Sequence, residues 1–302
     1  MRFVTYRLGQ AEARLGLQHN GLVIDVANFG AAVGESLPST MLGFIDLGPL
    51  ALEALRSAID GSGPAKLVGC SVPEGNVALL APIPRPRKNI FGIGLNYTEH
   101  VAESARALDT SDQLPKQPVI FSKPPTAVSA WNDPIRHNAK ITQQLDWEVE
   151  LAVVIGQTAR NVDEVNALDY VFGYTIINDV SARDCRRAGQ WIVSKGQDGF
   201  APMGPCIVTR DEVPDPQNLN LWARVNGVEK QNSNTKFMLF NVRQIIADIS
   251  TVMTLEPGDV IATGTPAGVG AGRDPQEFMW PGDVVECHVE GIGTLRNPIV
   301  AA

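Results

Sequence analysis

Hydrophobic and polar positions fall in short runs along most of the chain, and only a few runs carry a helical period. Phe3–Tyr6, Ala13–Leu17 and Leu22–Val26 read as short strands, and His19-Asn20-Gly21 joins the last two as a hairpin. Leu50–Ile59 has the apolar spacing of a helix. Residues 1–80 therefore predict a small N-terminal α/β domain. Residues 81–88, APIPRPRK, place three prolines in a basic run, which forbids a helix interior and predicts an extended linker.

From residue 89 to 302 the pattern is strand-rich and punctuated by Gly and Pro. Ile90–Gly92, Val119–Ser122, Glu148–Ile155, Val171–Asn178, Ile207–Thr209, Leu221–Val225, Val260–Thr263 and Val284–Val289 predict strands. Helical patterns fall at Tyr97–Ala107, Ser181–Ala188 and Val242–Ser250. Runs of strands with occasional helices predict a β-rich α+β fold, not a doubly wound sheet. The two PGD segments, Pro257–Asp259 and Pro281–Asp283, each precede an apolar strand and read as structural turns.

Composition narrows the function. The 302 residues are ordinary for a globular protein, which excludes wholesale disorder. The net charge of −8, from 33 acids and 25 bases, argues against a nucleic-acid partner bound through a broad basic face. The longest apolar stretches, Leu151–Gly156 and Val171–Ile177, are strand-length, so no membrane span is expected. The first residues lack the apolar core of a secretory signal. Cys70, Cys185, Cys206 and Cys287 are scattered without metal-ligand spacing, which suits a cytoplasmic protein with reduced thiols.

Candidate chemistry starts with Asp146-Trp147-Glu148-Val149-Glu150. Glu148 and Glu150 are two apart on a predicted strand and so share a face. The continuously apolar run after Glu150 argues for burial, and a buried pair of like charges calls for a cation. A solvated strand face is the alternative. Hard carboxylate oxygens suit Mg²⁺, Mn²⁺ or Ca²⁺. Asp179, at the C-terminal end of the apolar strand Val171–Ile177, is placed to converge with the pair. It could instead cap the helix predicted from Ser181, a task Ser181 itself could take. His100 and Glu103 are three apart at the start of a predicted helix and neighbour on one face. A carboxylate beside an imidazole makes a general base, although a surface pair is the commoner outcome of that spacing. Lys123 and Lys195 sit in polar, Pro- or Gly-bearing segments; either could touch an anion, but composition alone does not lift them above solvated loop lysines. Gly92-Ile93-Gly94 lacks the third glycine of a dinucleotide loop, and Thr263–Gly270 lacks the ending of a P-loop. The latter's hydroxyls and backbone N–H groups could still cradle a carboxylate.

Gly94-Leu95-Asn96-Tyr97 with His100 and Glu103, Lys123-Pro124-Pro125, Trp147–Ala152, Asn178–Asp184, the KGQDGFAPMGP segment with Lys195, and TGTPAGVG occur in an order that resembles the fumarylacetoacetate hydrolase family over roughly residues 86–300. The N-terminal module resembles the accessory domain of many bacterial members. The resemblance implies a mixed β-roll catalytic domain and a homodimer. It implies Mg²⁺ or Mn²⁺ held by Glu148, Glu150 and Asp179. It further implies a lid helix whose His100–Glu103 pair activates water, with Lys195 stabilising negative charge. Arg183 and Thr265 would meet the substrate's carboxylate end. Where relatives often carry glutamine three positions after Arg183, this chain has Arg186, an extra cation that suits a second carboxylate or a hydroxylated tail.

These parts lead to the expectation of a hydrolase that cleaves a C–C bond in a 2,4-dioxo acid, giving pyruvate and a carboxylic acid. The same platform serves isomerases and decarboxylases of unsaturated dicarboxylic 2-oxo acids, or oxaloacetate decarboxylation. A non-catalytic binding protein on this scaffold is the reading from another class, and independence from divalent cations would mark it.

Overall fold

The computed structural model describes residues 1–107, 113–187 and 189–302. Among these, a twelve-stranded sheet runs in the order Ser71–Pro73, Leu22–Asp25, Arg14–His19, Arg2–Arg7, Ala201–Thr209, Val171–Asn178, Val149–Ile155, Val260–Ala262, Ile90–Gly94, Val119–Lys123, with two short strands paired off this path. A five-stranded sheet is ordered Val228–Asn234, Asn220–Val225, Val284–Val289, Gly293–Ala301, Ile135–His137. The fold is mixed α+β and strand-rich.

Local sequence explains many of these elements. Asn20 and Gly21 both take positive φ, 50° and 77°, the geometry a two-residue hairpin needs, and they register Arg14–His19 against Leu22–Asp25. The helix Pro49–Asp60 starts on a proline and buries Leu55 and Ile59. Asn241 and Gln244 form a reciprocal capping box that starts the helix Val242–Val252. Both PGD segments are turns, with Gly258 and Gly282 at φ 86° and 103°.

The large sheet carries a core on each face. On one face Val149, Leu151 and Val153 pack with Leu221, Ala223, Val285, Cys287 and Leu295 of the smaller sheet. On the other, Ala152, Val154 and Ala262 pack in the cluster that holds Phe29, Phe44, Leu55 and Ile59 of the N-terminal helices. The sheet joins residues on both sides of the 81–88 segment without interruption in space. Phe3 and Ile207 are register partners in neighbouring strands, and the rings of Phe3, Phe44 and Phe172 meet at 5.2–6.5 Å. The first 80 residues thus share a sheet and a core with the rest of the chain.

One expectation is overturned. Residues 181–187 form no α-helix. Ser181-Ala182 is a short strand paired with Leu145-Asp146, followed by a 3₁₀ turn at Arg183–Cys185, and Ala188 lies outside the described residues. The pairing brings Arg183 beside Asp146, and this tertiary demand overrides a weak local pattern. No helix among the described residues is long and apolar enough to cross a membrane.

Asp25 ties the N-terminal layer together. It caps the helix Val26–Val33 by accepting from Asn28 N–H at 2.8 Å, accepts from Tyr6 Oη at 2.7 Å, and pairs with Arg14. Burial pushes its carboxyl up, but the hydrogen bonds from Arg14, Tyr6 and Asn28 outweigh that, so it is held below the usual carboxylate range. We expect Asp25→Ala to cost about 2–3 kcal/mol in urea unfolding. Because the folded-state value is depressed, this contribution is full above the ordinary carboxylate value and fades as pH falls. The wild-type advantage over Asp25→Ala should therefore narrow below about pH 4. An equal gap at pH 7 and pH 3 would contradict the assignment.

Candidate active site

Two antiparallel strands build the acidic centre. Val149 and Glu150 register against Asn178 and Ile177, so Glu148, Glu150 and Asp179 emerge at one end of the pair. The Asp179 N–H donates to the Glu148 carbonyl at 2.9 Å. All three carboxylates are buried, and one oxygen from each lies within 4.8 Å of the others. The period-2 expectation for Glu148 and Glu150 and the convergence of Asp179 both hold.

A ring of buried cations surrounds them. Lys195 Nζ donates to Glu148 Oε2 at 2.9 Å, to Asp179 Oδ2 at 2.5 Å and to Ser181 Oγ at 2.9 Å. Lys123, fully buried, bonds Asp179 Oδ1 and also reaches the Val180 carbonyl at 3.3 Å. Arg183 Nη2 lies 2.6 Å from Glu148 Oε1, and its Nε donates to Asp146 Oδ2 at 2.8 Å. Lys123 and Lys195 are therefore not solvated loop lysines, the second correction to the sequence pattern. Burial works against the Lys195 charge, but Asp179 and Glu148 overcome it and raise its ammonium above the ordinary range. Burial wins for Lys123, which is lowered despite Asp179. Burial also opposes the Glu148 charge, and Lys195, Arg183 and His100 outweigh it, leaving its carboxyl far below the usual value.

Glu150 is the exception. It accepts the Gly264 N–H at 2.9 Å but joins no ion pair among the described residues. Burial first, then Asp179 and Glu148, push its carboxyl well above the carboxylate range. A divalent cation seated among the three acids would relieve this, and three hard oxygen donors fit Mg²⁺ or Mn²⁺.

His100 lines the same cavity as Glu148 and Glu150. The helix Thr98–Ala107 carries His100 and Glu103, both buried, with His100 Nδ1 3.1 Å from Glu103 Oε2. It is not a surface pair. Asn96, which precedes the helix, is pinned by the Thr263 and Phe240 carbonyls at 2.7 and 3.0 Å. Glu103 also accepts the Gly268 N–H at 3.0 Å, and it nests on Gly272, where a Cβ would come within 2.2 Å of the carboxyl carbon.

The glycine loop does cradle carboxylates, but they are the protein's own. Gly264 holds Glu150 and Gly268 holds Glu103, while Gly270 and Ala271 donate to Asp146 at 2.6 and 2.9 Å. Thr265 and Arg186 line the cavity with His100, Glu148, Glu150 and Lys195. Arg186 joins no ion pair among the described residues, and its guanidinium lies 5.0 Å over the Trp191 ring. Sequence reasoning missed Lys123, Asp146 and Gln231 as site residues. Asp146 is two before Glu148 and could have been read on the same face. Gln231 reaches in from the smaller sheet, accepting from Val149 N–H and donating to Thr265 Oγ1 at 2.8 Å, and nothing local marks it.

The strand-rich fold thus brings a buried acidic triad and the buried His100–Glu103 pair to one cavity. The family model described as fumarylacetoacetate (FAA) hydrolase C-terminal matches residues 89–300, and the chain belongs to that family. It is 41% identical over 306 residues to the mitochondrial oxaloacetate tautomerase fahd2 of Xenopus laevis, spanning 99% of this chain and 90% of that protein. The fumarylacetoacetate hydrolase of Exiguobacterium antarcticum superposes with a TM-score of 0.81 at 37% identity over the full length of both chains. The maleylpyruvate hydrolase of Sphingobium sp. SYK-6, solved with manganese(II) and pyruvate, superposes at 0.78 with 30% identity, again over both full chains.

Saturating Mn²⁺, at about a hundredfold its dissociation constant, should raise the melting temperature by about 5 °C. Glu150→Gln should abolish that rise. In chelator the same variant should melt above wild type, because it removes an acid whose ionisation burial, Asp179 and Glu148 all oppose. A variant that melts lower in chelator and keeps the Mn²⁺ shift would remove Glu150 from the ligand set.

Proposed function

We propose that this protein is a divalent-metal-dependent enzyme that interconverts the keto and enol forms of a small 2-oxo dicarboxylic acid, with oxaloacetate as the leading substrate. The observation that carries this reading is the placement of the buried His100–Glu103 pair at the acidic centre, where His100 lines one cavity with Glu148, Glu150, Arg183, Arg186 and Lys195. The name of the Xenopus laevis relative supports the substrate.

Each residue has a part. Thr265 and Arg183 take the carboxylate next to the oxo group, and Arg186 takes the distal one. His100 removes a proton from the carbon between the oxo group and the distal carboxylate. Glu103 balances the resulting imidazolium. Negative charge develops on the 2-oxo oxygen, where the Lys195 ammonium stabilises it. Return of that proton from His100 to the oxygen completes the enol and leaves the imidazole neutral, and the reverse sequence restores the keto form. Glu148, Glu150 and Asp179 would hold Mg²⁺ or Mn²⁺, which would supply Lewis-acid stabilisation of the developing negative charge.

The second reading is hydrolysis of a 2,4-dioxo acid to pyruvate and a carboxylic acid. Its specific support is the same His–Glu pair, which is equipped to take a proton from water, together with the resemblance to a maleylpyruvate hydrolase crystallised with pyruvate. Isomerisation or decarboxylation of dicarboxylic 2-oxo acids would use the same platform.

Enol-oxaloacetate decay followed by ultraviolet absorbance, with Mg²⁺ and with chelator, tests the proposal. Metal-dependent acceleration is expected, falling by about 10²–10⁴ in His100→Ala. Pyruvate release from acylpyruvates with no effect on enol decay would replace it with the hydrolase reading. Inactivity on both would exclude both.

A further inference from the structure

A second cavity lies directly behind one wall of the active site. Its volume is about 450 Å³, against about 20 Å³ for the first, and the two share Phe121 and Trp191. The walls differ in character. The active-site side carries Glu148, Glu150, Arg186 and Lys195, whereas the far side is lined largely by apolar groups, among them Phe91, Val119, Ile120 and Ile192, with no Asp, Glu, Lys or Arg.

The partition is two rings laid on two glycines of one strand. Trp191 lies on Gly94, where a Cβ would come within 2.3 Å of its Cζ3. Phe121 lies on Gly92, where a Cβ would come within 2.2 Å of its Cζ. Gly92 and Gly94 are two apart in the strand Ile90–Gly94 and present the same face. The rings also support each other, with centroids 5.2 Å apart. Each carries a cation of the active site: Arg186 lies 5.0 Å over Trp191, and Lys195 Nζ lies 4.9 Å over Phe121.

We propose that Trp191 is the specificity-determining residue that limits substrate to short, doubly charged 2-oxo acids. Its indole closes the cavity behind the substrate and, on the same ring, supports the guanidinium that reads the distal carboxylate. The inference rests on the 2-oxo acid reading of the site and names the substrate class within it. Removing the ring joins an apolar groove to a polar cavity and leaves Arg186 without its platform. An apolar tail entering such a groove gains up to about fourfold in affinity per methylene, while a distal carboxylate loses its cation's support.

The test is a ladder of ligands on Mn²⁺-saturated protein, with dissociation constants from thermal-shift titration of pyruvate, oxaloacetate, 2-oxohexanoate and 2-oxooctanoate. In wild type we expect oxaloacetate to bind best and the longer monocarboxylates to gain nothing over pyruvate. In Trp191→Ala, 2-oxooctanoate should tighten by about tenfold or more while oxaloacetate weakens. Gly94→Ala displaces the indole without deleting it and should shift the ladder the same way by a smaller factor, which covers the case in which Trp191→Ala fails to fold. The proposal is overturned if wild type already gains affinity with each methylene, or if both variants, folded by circular dichroism, keep the wild-type ladder. A shifted ladder in a protein that turns over no 2-oxo acid would support the partition and remove the catalytic reading alone.

Discussion

Burying carboxylates is the constraint on which this structure turns. Asp146, Glu148, Glu150 and Asp179 are all withdrawn from water, each at a penalty of several kcal/mol if left alone. Lys123, Lys195 and Arg183 supply three compensating charges at hydrogen-bonding distance, and backbone N–H groups supply further donors. One acid, Glu150, is left without a cation of the protein's own. That imbalance makes the centre receptive to a divalent ion, and it explains why so many elements converge there. The central strand pair delivers the three acids Glu148, Glu150 and Asp179, and the short helix with Lys195, the edge strand with Lys123 and the Arg183 turn each deliver one cation.

The glycine loop links this centre to the lid. Between residues 264 and 271 its N–H groups hold Glu150, Glu103 and Asp146 in turn. Asp146 passes the constraint to Arg183, and Arg183 passes it to Glu148. The His100–Glu103 pair and the neighbouring acids are therefore positioned by one backbone segment. Gly268 shows why glycine is needed there. At φ 101° a side chain would be strained, and a Cβ would come within 2.2 Å of the Lys230 carbonyl oxygen.

Much of the site was legible from spacing. Alternation placed Glu148 and Glu150 on one face, and the end of an apolar strand placed Asp179 beside them. The i,i+3 spacing of His100 and Glu103 marked a pair. The rest depends on what tertiary structure buries. Lys123 and Lys195 stand in Pro- and Gly-bearing segments whose composition suggests solvent, and only the surrounding strands take them inside. The helix expected from Ser181 gives way because two residues there pair with Leu145-Asp146. Gln231 and Trp191 act through contacts distant in sequence, with Gln231 coming from a different sheet. The strand order of the large sheet, which threads the first 80 residues against Ala201–Thr209, is also a long-range fact that no local pattern carries.

The acidic triad, ringed by cations and set beside the His100–Glu103 pair, is the candidate divalent-cation centre. The most direct measurement is the anomalous difference density of crystals grown with Mn²⁺, collected above the manganese absorption edge. One strong peak is expected within bonding distance of oxygens from Glu148, Glu150 and Asp179. A fully occupied peak elsewhere, or none at Mn²⁺ concentrations that saturate the thermal shift, would contradict it.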